Sequence, residues 1–74
     1  MTVAELRALP LGTRVVVRFR LHADTHPTSD ALGDLIASDE AGCTVATRHG
    51  DVTIAWADVL LAKTVPPPPA PRPR

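Results

Sequence analysis

An all-β fold is what this 74-residue chain predicts. Three observations carry the prediction. Residues 13–21, TRVVVRFRL, alternate apolar and polar side chains with the period of two of a half-buried strand. Gly50-Asp51 stands between two further β-rich runs, where a hairpin turn belongs. Five such short runs, each bounded by Gly, Pro or polar residues, fill the chain from residue 13 to residue 65.

Each element has its own local reason. Thr2-Val-Ala-Glu5 has the form of a capping box, with Leu6 and Leu9 on one helical face, so residues 3–8 predict one or two helical turns. Pro10 and Gly12 end them. In the first strand, 13–21, Val15, Val17, Phe19 and Leu21 share a face, opposite Arg14, Val16, Arg18 and Arg20. Residues 22–30 are polar and contain His26-Pro27, which predicts a loop. Residues 31–38 suit either a helix or a strand by pattern; Gly33 tips them toward a bent or bulged strand. Residues 40–42 turn the chain. Strands are expected over 43–49 and 52–56, with Val52, Ile54 and Trp56 on one face. Residues 57–60 predict a 3-10 turn, with Asp58 free to bond nearby backbone N–H groups. A last strand, 61–65, precedes the prolines. A five-stranded meander of this size closes most economically as a small barrel, because closure hides the sheet edges. The order of elements matches the SH3-like barrel, as a domain over 1–65 with a proline-rich tail or linker over 66–74.

Composition narrows the function classes. Residues 1–64 hold six Lys/Arg against eight Asp/Glu, a balance of −2 that Arg72 and Arg74 of the tail neutralise. A domain of that charge is a poor trap for phosphate backbones. There is no Tyr, Asn or Gln, and Phe19 and Trp56 are the only aromatics. That removes most of the equipment for stacking bases or lining a groove for PxxP peptides. Cys43 is the single cysteine, so no internal disulfide can form, and no run reaches the ~20 apolar residues of a membrane span. Together these predict a cytoplasmic setting and no membrane association.

The stretches LPLGTRVVVRFRL, DALGDLIASD and GDVTIAWADVLLAKTVPPPP resemble the N-terminal SH3-like domain of actinobacterial GNAT-type N-acetyltransferases, some labelled histone-acetyltransferase-like. The likeness covers about residues 9 to 68. It rests on the strand Gly-Thr-Arg-Val-Val-Val-Arg and on the ending Ala-Asp-Val through Lys63 to Val-Pro-Pro, neither of them catalytic. The resemblance implies a barrel preceding a larger acetyltransferase domain, and so an association with acetyl-CoA-dependent acetyl transfer, in cis or in trans. Acetyl-CoA is implied for that domain alone; no cofactor is expected on this chain. The pyrophosphate turn of such enzymes places Gly three residues after Gln or Arg, whereas here Arg7, Arg14 and Arg48 lead to Pro10, Val17 and Asp51. No catalytic residue carries over.

Four candidate sites remain. His22-x-Asp24-x-His26 has metal-ligand chemistry and would align on one face if extended, with Asp30 the nearest further donor. It lies in a polar loop just before Pro27, and an ordinary solvated loop is the plainer account. Arg14, Arg18 and Arg20 form a basic stripe on the outer face of the first strand, able to meet phosphates, to dock a neighbouring domain, or to pair with Asp34 or Glu40 across the sheet. Trp56 reads as a core plug or as a binding platform. Cys43 reads as a small hydrophobe at a strand start, because no sequence neighbour supplies an activating base.

The expectation is therefore a non-catalytic accessory or interaction module for a GNAT-type acetyltransferase. The alternative is a free-standing small barrel that binds a protein or nucleic acid. Homo-oligomerisation stays open, through an apolar edge or through Val16 on the outer face. The tail, at ~3.1 Å per residue in polyproline II, makes a spacer of about 28 Å over nine residues.

Overall fold

A computed structural model describes residues 1–22 and 27–66. It contains α1 (Val3–Ala8), β1 (Arg14–Arg20), β2 (Thr28–Ser38), β3 (Gly42–Thr47), β4 (Gly50–Ala55), a 3-10 turn (Trp56–Asp58) and β5 (Val59–Thr64). The five strands form one antiparallel sheet in the order β4-β3-β2-β1-β5. The all-β class, the five strands, the N-terminal turns and the 3-10 turn are all as the sequence predicts.

The N-terminal helix forms because its cap is built in. The Glu5 N–H donates to Thr2 Oγ1 at 3.1 Å, satisfying one of the helix's otherwise unpaired donors. Leu6, one residue on, is fully buried. The linker to β1 is stitched to β2: Gly12 N–H donates to the Leu35 carbonyl at 2.7 Å, and Leu35 N–H to the Thr13 carbonyl at 2.9 Å.

Alternation decides which face each strand buries. Val15 and Val17 of β1, Ala31 and Leu35 of β2, Val45 of β3, Ile54 of β4 and Ala62 of β5 are almost wholly buried in one cluster with Leu6. Residues of both edge strands thus reach the same core, so the sheet curls around it. Two bulges assist the curl. Ile36 is the extra residue between Leu35↔Val45 and Ala37↔Thr44, and Leu60 is the extra one between Arg18↔Leu61 and Phe19↔Val59. Among the described residues β4 and β5 do not pair with each other; the 3-10 turn carries the chain from one edge to the other.

Several boundaries depart from the sequence reading. β2 starts at Thr28 rather than 31, because the ladder Arg18↔Asp30, Phe19↔Ser29, Arg20↔Thr28 draws three polar residues, among them the strand-averse Asp30, into pairing with a strong strand. β3 ends at Thr47 rather than 49, and the turn is Arg48-His49 rather than Gly50-Asp51. Gly50 instead follows the turn at φ +118°, the kind of position that three-residue hairpin loops reserve for glycine. Trp56 leaves the strand to open the 3-10 turn, and β5 begins at Val59 rather than 61. Gly33 is not the bulge. A Cβ there would lie 1.9 Å from the Ala46 carbonyl oxygen, so its role is close strand approach.

Candidate functional site

The basic stripe does not act as one unit. Arg18 Nε donates to Asp30 Oδ1 at 3.0 Å, and Nη2 reaches Asp30 Oδ2 at 3.4 Å. This fork holds the Asp30 carboxyl below its ordinary range and raises the guanidinium, in both cases chiefly through the hydrogen bond. The partner is Asp30, not Asp34 or Glu40, because β2 extends back far enough to place Asp30 opposite Arg18. Arg14 is half-buried and sits across from Asp34 in register without an ion pair; Arg20 is exposed.

His22 Nε2 lies 3.1 Å from Asp58 Oδ1, linking the end of the first hairpin to the 3-10 turn. Asp58 thus meets a side chain from elsewhere in the fold, in place of the local backbone N–H groups expected of it. Asp24 and His26, the other two metal candidates, lie outside the described residues. No group of three ligating side chains occurs among the described residues.

Trp56 joins three elements. Its Nε1 donates to the Asp39 carbonyl at 2.7 Å, its ring is half-buried against the core, and Arg7 of α1 lies 5.7 Å from the ring centroid. It is a pin that ties α1 and the β2–β3 turn to the 3-10 turn. Asp39 braces that turn further, its Oδ1 accepting from Ala41 N–H and Gly42 N–H. Cys43 is buried, and burial pushes its thiol up, away from thiolate reactivity.

Two surface features escape the sequence reading. The outer face of β1, β2 and β5 exposes Leu32 and Leu61 beside Val16, interleaved with Arg18, Asp30 and Lys63. An open depression beside the β3–β4 turn is lined by Arg14, Phe19, Leu32, Asp34, Arg48 and His49, among others. Both arise from strands far apart in sequence, so only the alternation of Val16 hinted at the first, and nothing local signals the second.

A short helix followed by one curled five-stranded antiparallel sheet around an apolar core defines a small barrel-type domain. The family model described as the Rv0428c N-terminal Sm-like domain matches residues 9–63, and the chain belongs to that family. The family description names an N-terminal Sm-like domain; it does not mention acetyl transfer. No curated protein and no solved structure matches the chain.

Proposed function

We propose that this chain is a non-catalytic accessory barrel that serves a GNAT-type acetyltransferase domain, in cis or in trans. The observation that carries the reading is where the fold is complete. Among the described residues the core runs from Leu6 to Ala62, Val65 N–H donates to the Arg14 carbonyl at 3.0 Å, and the proline run starts at Pro66. A self-contained module followed at once by a proline-rich sequence suits a domain built to hold another. The family's N-terminal designation supports the same role, as does the resemblance of residues 9–68 to the leading domain of such enzymes.

Some of the barrel's ionisable groups are occupied with structure: Arg18 with Asp30, His22 with Asp58, Cys43 in the core. Acetyl-CoA belongs to the partner domain in this reading. The setting is cytoplasmic, in keeping with a lone buried thiol; no helix among the described residues is long and apolar enough to cross a membrane.

The test pairs two measurements. Calorimetry of the 74-residue chain with acetyl-CoA is expected to show no specific heat. Steady-state acetyl transfer by the enzyme encoded with this barrel, with and without residues 1–65, is expected to show a changed acceptor KM with kcat largely retained. Stoichiometric acetyl-CoA binding by the 74-residue chain, or salt-sensitive retention of RNA or DNA near physiological ionic strength, overturns the proposal.

A further inference from the structure

β2 is nearly twice as long as the hairpin that covers it. It runs eleven residues, Thr28–Ser38, whereas β3 has six. β1 pairs with it from Arg20↔Thr28 to Arg14↔Asp34. β3 pairs with it only from Gly33↔Thr47 to Ser38↔Cys43. Residues 28–32 therefore have a neighbouring strand on one side only, among the described residues. Alternate N–H and C=O groups along this stretch face away from β1 with no ladder partner, which makes a short open edge.

The open depression lies along this edge. Its volume is about 660 Å³, within the range of ligand sites. Leu32 is 46% exposed on one side of the strand, and Phe19 is half-buried on the other. Ser29 adds a hydroxyl, the Thr47 hydroxyl is held within the turn by the Gly50 carbonyl and His49 N–H, and the Arg48-His49 turn closes one end. The charge balance has a sign. Arg14 and Arg48 make no ion pair among the described residues, Asp30 is already held by Arg18, and Asp34 is the one unpaired carboxylate of the lining.

We propose that Thr28–Leu32 is a strand-addition site for a short extended peptide segment carrying an acidic side chain. The segment lies in line with β3 and pairs its backbone with β2. Its alternate side chains fall toward Leu32 and toward Phe19, and its carboxylate meets Arg48. The chain's own proline run is a poor occupant, because proline has no N–H to give to a ladder. The site follows from strand register and does not depend on the acetyltransferase reading.

The probe is a capped five-residue peptide of alternating valine and threonine with a central glutamate, titrated into the isotope-labelled 74-residue chain and followed by NMR. Saturable shifts are expected at residues 28–32 and 47–49, with exchange of the outward-facing amides of 28–32 slowed about tenfold on pairing. A peptide with central lysine is expected to bind about threefold more weakly, the scale of one exposed charge pair. Arg48→Glu, at an exposed turn position, is expected to reverse that preference while leaving the free spectrum otherwise unchanged. Shifts centred on β4 or β5, absence of saturable shifts, an unchanged preference in Arg48→Glu, or protection that tracks protein concentration without peptide would each overturn the proposal, the last by making a second copy the occupant.

Discussion

Gly33 and Ala46 approach so closely that no side chain fits between them, with 1.9 Å from an added Cβ to the Ala46 carbonyl oxygen. The obstacle is backbone, which cannot swing aside as a side-chain end can. Gly33→Ala is expected to cost about 3 kcal/mol or more by forcing β2 and β3 apart; urea unfolding of the two proteins measures it. The Arg18–Asp30 fork is a second residue-scale feature, and its consequence is a pH dependence. The Asp30 carboxyl is held below its ordinary value of 3.8, so in acid the unfolded chain binds the proton first. The fork's contribution is therefore present above the ordinary carboxylate pKa and is lost as pH falls through the lower folded value. Unfolding curves of the natural chain and of Asp30→Asn should differ at neutral pH and converge in acid.

Among the elements, α1 and the 3-10 turn are too short to be stable alone; Leu6 anchors α1 in the core, and Trp56 braces both. Trp56→Phe keeps an aromatic ring but leaves the Asp39 carbonyl without the indole donor, an expected loss of about 1 kcal/mol. Trp56→Ala also removes the ring packed against the core, for about 3 kcal/mol in total. Amide exchange should show the Asp39–Gly42 turn and α1 loosening first in both variants. Much of the element pattern was legible beforehand. The Thr2 N-cap and the alternation of Val15, Val17 and Phe19 are local signals, and the structure follows them; the Glu5 carboxylate accepts from Thr2 Oγ1 instead of closing the capping box on the Thr2 N–H. The start of β2 was not legible, because Thr28, Ser29 and Asp30 have loop-like chemistry and become strand only by pairing with β1. The β3–β4 turn was displaced for a related reason. Gly50 supplies the positive φ just after the turn, not inside it.

At the scale of the whole molecule, every buried core residue among the described residues falls between Leu6 and Ala62. Removal of residues 67–74 is thus expected to leave unfolding free energy unchanged within about 0.5 kcal/mol, as thermal and urea denaturation can check. Any function of the tail would then show in reach to a partner, not in stability. The candidate peptide edge belongs to this scale too. None of Ser29, Leu32, Arg48 and His49 announces a site in isolation. The edge exists because an eleven-residue strand lies beside a six-residue one.

Sequence alone determined what depends on near neighbours: the helix cap, the inward valines, the apolar core without buried charge, and the prolines that stop β5 from continuing. Alternation and capping act over two to four residues, so they can be read in order along the chain. Only the tertiary structure decided which carboxylate meets Arg18, where β2 begins, what Gly33 is for and which backbone stays uncovered. Those outcomes hang on the register between strands distant in sequence, and a single bulged residue such as Ile36 or Leu60 shifts that register.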